Sequence, residues 1–338
     1  MYFDLAPKTD EKDFFNYREQ LDFIKNHVGD LPLIVVRGQR RVGKTSLMMV
    51  FYNQYDGPKA WLNMYNVRDK NHFYQLLSIK LRELLLQSSP LKKIEHYLSR
   101  IQIQGIGLKE DEWHLSLEYL KDIKGLLIID EAQLGMDYGI DRWLAFAYDH
   151  LNIHILVAGS QIGLLEALLG RDRSPLRGKL LEYVDMRPLS LEMAKAFLLE
   201  GFAQAQKKVS LDEIEEAAAK LGGLMGWLTY YGHLRLRMTH EQAMERLFSM
   251  ARDIIAEELS HLNQKELVVL ASIVQGFGTW SEIKRYVFVK FNITLPDSSL
   301  HRILKRLVDL SFVQKVQGGY QATEPLLAEG LRVLLPNI

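Results

Sequence analysis

Gly38-Gln39-Arg40-Arg41-Val42-Gly43-Lys44-Thr45 is the stretch on which the reading of this chain turns. It fits the spacing G-x-x-x-x-G-K-[ST], in which a glycine-rich loop wraps its backbone N–H groups around phosphate oxygens. The flanks suit that geometry. Leu33-Ile34-Val35-Val36 is an unbroken apolar run, as a strand buried in a parallel sheet requires. Ser46 to Tyr55 predicts a helix with Leu47, Val50 and Phe51 on one face. The N-terminus of such a helix adds a dipole that favours an anion. The pattern assigns Gly38, Gln39, Arg40, Arg41, Val42, Gly43, Lys44, Thr45 and Ser46 to the phosphates of a nucleotide. Lys44 reaches the β and γ phosphates, and the Thr45 hydroxyl ligates Mg²⁺.

A second motif completes the chemistry. Gly125-Leu126-Leu127-Ile128-Ile129-Asp130-Glu131 sends four apolar residues into two carboxylates. Ligand crevices in open α/β sheets lie at that end of a strand. Asp130 is placed to hold the Mg²⁺ shell and Glu131 to orient or deprotonate the attacking water. The adjacent Glu favours ATP hydrolysis over a GTPase, where a Gln usually orients the water. It also argues against phosphate transfer to a small-molecule acceptor.

Two further positions are read with alternatives open. Ser160 follows the run His154-Ile155-Leu156-Val157-Ala158-Gly159 and is either a γ-phosphate sensor or a helix N-cap, and both roles are compatible. Arg177, in the basic stretch Arg171–Lys179, is either a cation that stabilises transition-state charge or part of a solvated loop.

Strand-like and helix-like segments alternate from about residue 31 to 187. The strands expected are Leu33–Val36, Ala60–Met64, Gly125–Ile129, Ile153–Ala158 and Leu180–Met186. Helices are expected at Ser46–Tyr55, Asn71–Leu86, Glu110–Lys121, Asp141–Asp149 and Gly163–Leu169. The alternation predicts an α/β fold, a P-loop NTPase parallel sheet covered by helices on both faces. After Pro188 the strand signals stop and helical patterns follow, one of them opened by the capping box Ser210-Leu211-Asp212-Glu213. From His261 the pattern is three helices and a hairpin: a helix to Val274, a second opened by Thr279-Trp280-Ser281-Glu282, and a third capped by Asp297 or Ser298. Gln317-Gly318-Gly319 marks the hairpin. This is the pattern of a winged helix-turn-helix whose third helix offers His301, Arg302, Lys305 and Arg306. The division expected is 1–187, 188–259 and 260–338: ATPase domain, helical lid and winged helix.

Composition narrows the partners. The 338 residues carry 42 basic and 42 acidic side chains, so no whole-chain field favours nucleic acid or an anionic membrane. From Ser260 onward there are nine basic and six acidic residues, a net +3, which is modest for a DNA-binding footprint. Double-stranded DNA and a protein partner both remain open for the winged helix. There is no cysteine, hence no disulfide or thiolate metal site. No signal peptide or membrane span is apparent, and a cytoplasmic protein is expected. His150 and His154 straddle a loop and a strand and do not form a zinc pair. Gly105-Ile106-Gly107 lacks the third glycine of a dinucleotide fingerprint.

Together these residues resemble the archaeal ATPase family of the STAND/AAA+ type, P-loop ATPases with a helical lid and a C-terminal winged helix. The resemblance covers nearly the whole chain. It is carried by Tyr17-Arg18-Glu19-Gln20-Leu21, Gly38–Thr45, Leu126–Glu131, Gly159-Ser160, Ser174-Pro175-Leu176 and Leu221–Leu228. It implies that Arg18 and Glu19 pack near an adenine pocket. It also implies that the lid stretch containing Gly223 and Met225 closes over ATP or ADP, and that an extra strand lies between the phosphate-loop and Asp130 strands. Two positions depart from the family pattern. Met225 stands where a base-contacting Pro is common, and Lys179 where Arg is common. The expectation is a Mg²⁺-dependent, slow ATPase working as a nucleotide switch. The alternative is a nucleotide-gated DNA-binding or scaffold module with incidental hydrolysis. An arginine finger supplied in trans would require a homo-oligomer.

Overall fold

The computed structural model describes residues 1–88, 124–170 and 174–336, so the helix expected at Glu110–Lys121 lies outside the described residues. The chain forms two compact units. One comprises Lys8–Gly38 and Lys44–Met186, and the other Met1–Pro7, Gln39–Gly43 and Arg187–Ile338.

The first unit is built on a parallel sheet. Its strands are β1 Leu33–Arg37, β2 Lys59–Asn63, β3 Lys124–Asp130, β4 Asn152–Gly159 and β5 Glu182–Asp185. They run in the order β2-β3-β4-β1-β5, every pair parallel. The strand between β1 and β3 is β4, as the family resemblance implied. Spacing alone could not order the strands, because parallel neighbours are joined through crossovers of any length. The middle of the sheet is apolar without alternation: Leu33 to Val36 and Leu126 to Ile129 are all within 1% of full burial. Helices α1 Arg18–His27, α2 Lys44–Gln54, α3 Lys70–Ser88, α4 Ile140–His150 and α5 Ile162–Gly170 surround it. Phe73, Leu77, Trp143 and Leu165 join the sheet residues Leu62, Leu127 and Ile129 in one core. Register pairs Val36 with Ala158 and Ile129 with Val157, so Arg37, Asp130 and Gly159 end neighbouring strands together.

The second unit is helical. It contains α6 Leu191–Gln204, α7 Leu211–Leu221, α8 Met225–Arg235 and α9 His240–Leu259. There follow α10 Gln264–Val274, α11 Trp280–Phe291, α12 Asp297–Asp309, the antiparallel hairpin β6 Val313–Val316 and β7 Gly319–Ala322, and α13 Leu327–Leu334. Phe3, 1% exposed, is packed between Phe197 and Phe202 and anchors the first residues to this unit. The capping boxes at Thr239, Asn263 and Thr279 are complete. At Ser210 only half of the expected box forms. The Ser210 side chain accepts from Glu213 N, while the Glu213 carboxylate takes Arg235 at 2.8 Å. A salt bridge outweighs the reciprocal cap because a charged donor makes the stronger hydrogen bond. Neither Asp297 nor Ser298 caps α12. The N-cap is Pro296, and Asp297 instead accepts from Lys284 at 2.9 Å and from Trp280 at 3.2 Å. Helix α13 and the 3₁₀ segment Ala132–Tyr138 were not anticipated.

Candidate nucleotide-binding site

Strand β1 delivers the phosphate loop and α2 begins within it, at Lys44. Gly43 has φ +104, a value open to glycine and strained for other residues. Lys44 is 5% exposed, and its ammonium donates to the Gly38 carbonyl at 2.8 Å, folding the loop back on itself. A phosphate that entered this loop would compete for that ammonium. One residue on, Thr45 Oγ1 donates to Asp130 Oδ2 at 3.0 Å, joining the loop to the end of β3. Ser46 accepts from Lys8 N at 3.0 Å.

Asp130 is 2% exposed. Burial, then the charge of Glu131, raises its pKa to about 6 against the pull of Thr45 and Lys44. A buried carboxylate raised by a neighbouring carboxylate is a group that a cation would relieve. The donor set, one hydroxyl and one carboxylate oxygen, suits Mg²⁺, which binds through hard oxygens and takes its remaining ligands from phosphates and water. No cluster of three or more His, Cys, Asp or Glu forms among the described residues, so the residues fit a phosphate-assisted ion rather than an all-protein metal cage.

Glu131 has φ +54, left-handed for a residue with a side chain. Such strain costs about 1 kcal/mol or more and gathers at functional sites. Its Oε2 accepts from Ser160 Oγ at 2.8 Å, Ser160 N at 3.3 Å and Gln133 Nε2 at 2.5 Å. Lys44, Thr45, Asp130, Glu131 and Ser160 therefore lie in one connected cluster at the strand ends. The Ser160 hydroxyl donates to Glu131. Gln133, 4% exposed, was not singled out from sequence. The string Asp-Glu-Ala-Gln was the available signal.

Arg18 and Glu19 are exposed at the first turn of α1. Arg177 is exposed in a turn after α5, and Lys179 pairs with Asp149 beside the Tyr148 ring. In the second unit, Gln39 donates to Thr323 O at 2.8 Å, and Arg40 lies over the Phe312 ring at 5.2 Å. Arg41 has φ +67 and is gripped on three sides, by Glu258 at 2.7 Å, Glu324 at 2.9 Å and the Trp227 ring at 4.3 Å. The surrounding groups hold a backbone conformation that an isolated Arg would avoid. Glu324 is 7% exposed, and burial raises its pKa despite Arg41. Gly223, φ +70, accepts from Leu189 N at 2.9 Å, and a Cβ there would sit 2.0 Å from the Leu189 oxygen. Met225 is the half-buried first residue of α8.

Residues 30–195 match the family model of an AAA domain, and residues 262–323 match the MCM protein C-terminal winged helix-turn-helix domain. With the sheet order and the phosphate loop, these matches make the chain a nucleotide-binding P-loop protein of the AAA+ class carrying a C-terminal winged helix. Among solved structures it is similar to the Walker-type ATPase PABY2304 of Pyrococcus abyssi, with TM-score 0.81 and 28% identity over 98% of this chain and 100% of that one. The fold is shared with the ORC2 protein of Aeropyrum pernix, solved as ADPNP–ADP complexes, at TM-score 0.61 and 16% identity over 95% of this chain and 91% of that one. It is shared also with the ORC1 protein of Aeropyrum pernix in complex with DNA, at TM-score 0.52 and 15% identity over 95% and 93%. No curated protein matches the chain.

Proposed function

We infer that the protein is a Mg²⁺-dependent ATPase that turns over slowly and works as a nucleotide switch of the STAND type. The observation that carries this reading is the bonded cluster of Lys44, Thr45, Asp130, Glu131 and Ser160 at the ends of β1, β3 and β4. Lys44 and the loop amides hold the β and γ phosphates, and Thr45 and Asp130 hold Mg²⁺. When bound, Mg²⁺ supplies charge neutralisation at the β and γ oxygens. Glu131 takes a proton from the attacking water, and Ser160 holds Glu131. Arg18, Glu19, Gly223 and Met225 contribute to the base and lid contacts. Arg177 is the candidate cation for the transition state, supplied within the chain or across a homo-oligomer.

The winged helix gives the switch an output on double-stranded DNA. His301, Arg302, Lys305 and Arg306 are all exposed on α12, while Leu300, Ile303, Leu304 and Leu307 of that helix are buried. A protein partner is the other occupant this face suits. The absence of cysteine fits a reducing cytoplasm, and no described helix is long and apolar enough to cross a membrane.

Titration of ATP with Mg²⁺ into wild type and Lys44→Ala tests the binding half of the reading. Removal of the buried ammonium is expected to weaken binding tenfold or more, roughly the loss of one charged hydrogen bond. Equal affinity in the two proteins would mean that the loop does not hold the phosphates.

A further inference from the structure

The Glu131 carboxylate is bonded on one side only. Oε2 accepts from Gln133 Nε2 and from both donors of Ser160, and no described residue donates to Oε1. Gln133 is not an incidental neighbour. It is 4% exposed, it is the second residue of the 3₁₀ segment that follows Glu131, and its carboxamide fills space that Gly159 leaves empty. A Cβ on residue 159 would lie 2.3 Å from Gln133 Oε1. That Oε1 has no hydrogen-bond partner among the described residues. A buried acceptor left unpaired is unfavourable by about 1–3 kcal/mol. The amide is thus held in this orientation by what its nitrogen does, and its nitrogen donates to Glu131.

We propose that Gln133 is a positioning residue for ATP hydrolysis, fixing Glu131 so that Oε1 faces the attacking water; this rests on the hydrolytic reading above. In the step it serves, the water oxygen bonds to the γ phosphorus, and the bond from that phosphorus to the β–γ bridging oxygen breaks. ADP leaves with the bond's electron pair, and a water proton passes to Glu131 Oε1. A neutral amide suits this task. It orients the carboxylate through one short hydrogen bond without the strong loss of basicity that an adjacent Lys or Arg would impose. Gly159 takes part by providing the room, and Glu131, with its left-handed backbone, accepts from both Gln133 and Ser160.

The test compares wild type, Gln133→Met, Gly159→Ala, Glu131→Asp and Glu131→Asp/Gln133→Met for phosphate release and for ATP affinity. Met keeps length and volume but cannot donate. Ala at 159 displaces the carboxamide while leaving its chemistry intact, a second route should Gln133→Met not fold. Asp at 131 withdraws the carboxylate by one methylene, beyond the amide's reach. A misaligned base loses on the order of tenfold to a hundredfold in rate. The expected result is that loss in kcat for Gln133→Met and Gly159→Ala, ATP affinity unchanged within twofold, and no further loss when Gln133→Met is added to Glu131→Asp. A kcat within twofold of wild type in Gln133→Met overturns the proposal, as does an equal fractional loss in the Glu131→Asp background. If wild type itself releases no phosphate, the hydrolytic reading fails and takes this one with it. Turnover in wild type that survives both Gln133→Met and Gly159→Ala sinks the positioning role alone.

Discussion

Asp130 is buried, ionised above about pH 6 and next to a second carboxylate, so in the absence of Mg²⁺ it works against the fold that holds it. The perturbation that exposes this is Asp130→Asn. An unfolded chain releases the Asp130 proton near the ordinary value of 3.8 and the folded protein near 6. Between those values the folded state binds more proton, so stability falls as pH rises from 3.8 to 6 and stays lower above. At about 1.4 kcal/mol per pH unit, the shift amounts to about 3 kcal/mol of destabilisation at pH 8. Asn removes that penalty and still accepts from Thr45, but it loses the bond from Glu131 N, at about 1 kcal/mol. The variant should therefore be about 2 kcal/mol more stable at pH 8, a rise in melting temperature of roughly 5 °C. By about pH 5 the wild-type carboxyl is mostly protonated in the fold, and the advantage should shrink below about 1 kcal/mol. Thermal unfolding followed by circular dichroism in EDTA, without nucleotide, reads this directly. Saturating Mg²⁺ and ATP should then raise the melting temperature of wild type by more than that of the variant, which keeps the phosphate loop but lacks the carboxylate placed to hold the ion. A variant no more stable than wild type at pH 8, or a gain that does not change with pH, would refute the argument.

Arg41→Ala should destabilise the second unit by about 3 kcal/mol in urea unfolding, because Glu324 would be left buried without its cation. Adding Glu324→Gln should recover part of that loss, whereas strictly additive losses would mean that Arg41 acts otherwise. Gly223→Ala should cost about 2 kcal/mol or more, since φ +70 and a Cβ 2.0 Å from the Leu189 oxygen leave it no relaxed position. Unchanged stability would show that the turn can open. If α12 docks on DNA, Arg302→Ala/Lys305→Ala should lower the slope of log affinity against log salt by about 2 in fluorescence anisotropy, and an unchanged slope would remove that helix from the interface.

Much of the fold was legible because its signals are local and periodic. The apolar runs at Leu33–Val36 and Leu126–Ile129 are buried strands, and Thr279 with Glu282 forms the box that opens α11. The strand order was not legible from spacing, since nothing in β4 states that it pairs with both β1 and β3. The family resemblance implied only that a strand lies between β1 and β3, and the places of β2 and β5 at the edges were not read. Caps with a competing partner were misread: Glu213 prefers Arg235 to its own N-cap, and Asp297 prefers Lys284. In the site, the meeting of Lys44, Thr45, Asp130 and Glu131 was readable because two motifs placed them at the ends of strands of one sheet. Gln133 and the empty space at Gly159 were not, because that contact forms across two strands' ends and has no sequence period. The grip on Arg41 was hidden for the same reason. Glu258 and Glu324 are ordinary acidic residues until the helical unit closes around the loop cation.

The measurement that tests the central claim is steady-state phosphate release from ATP with Mg²⁺, wild type beside Glu131→Gln, with ATP affinity measured on both. The account predicts turnover in wild type, a loss of a hundredfold or more in the variant and equal ATP binding. Tight binding with no turnover in either protein, or equal turnover in both, would contradict Glu131 as the group that activates water.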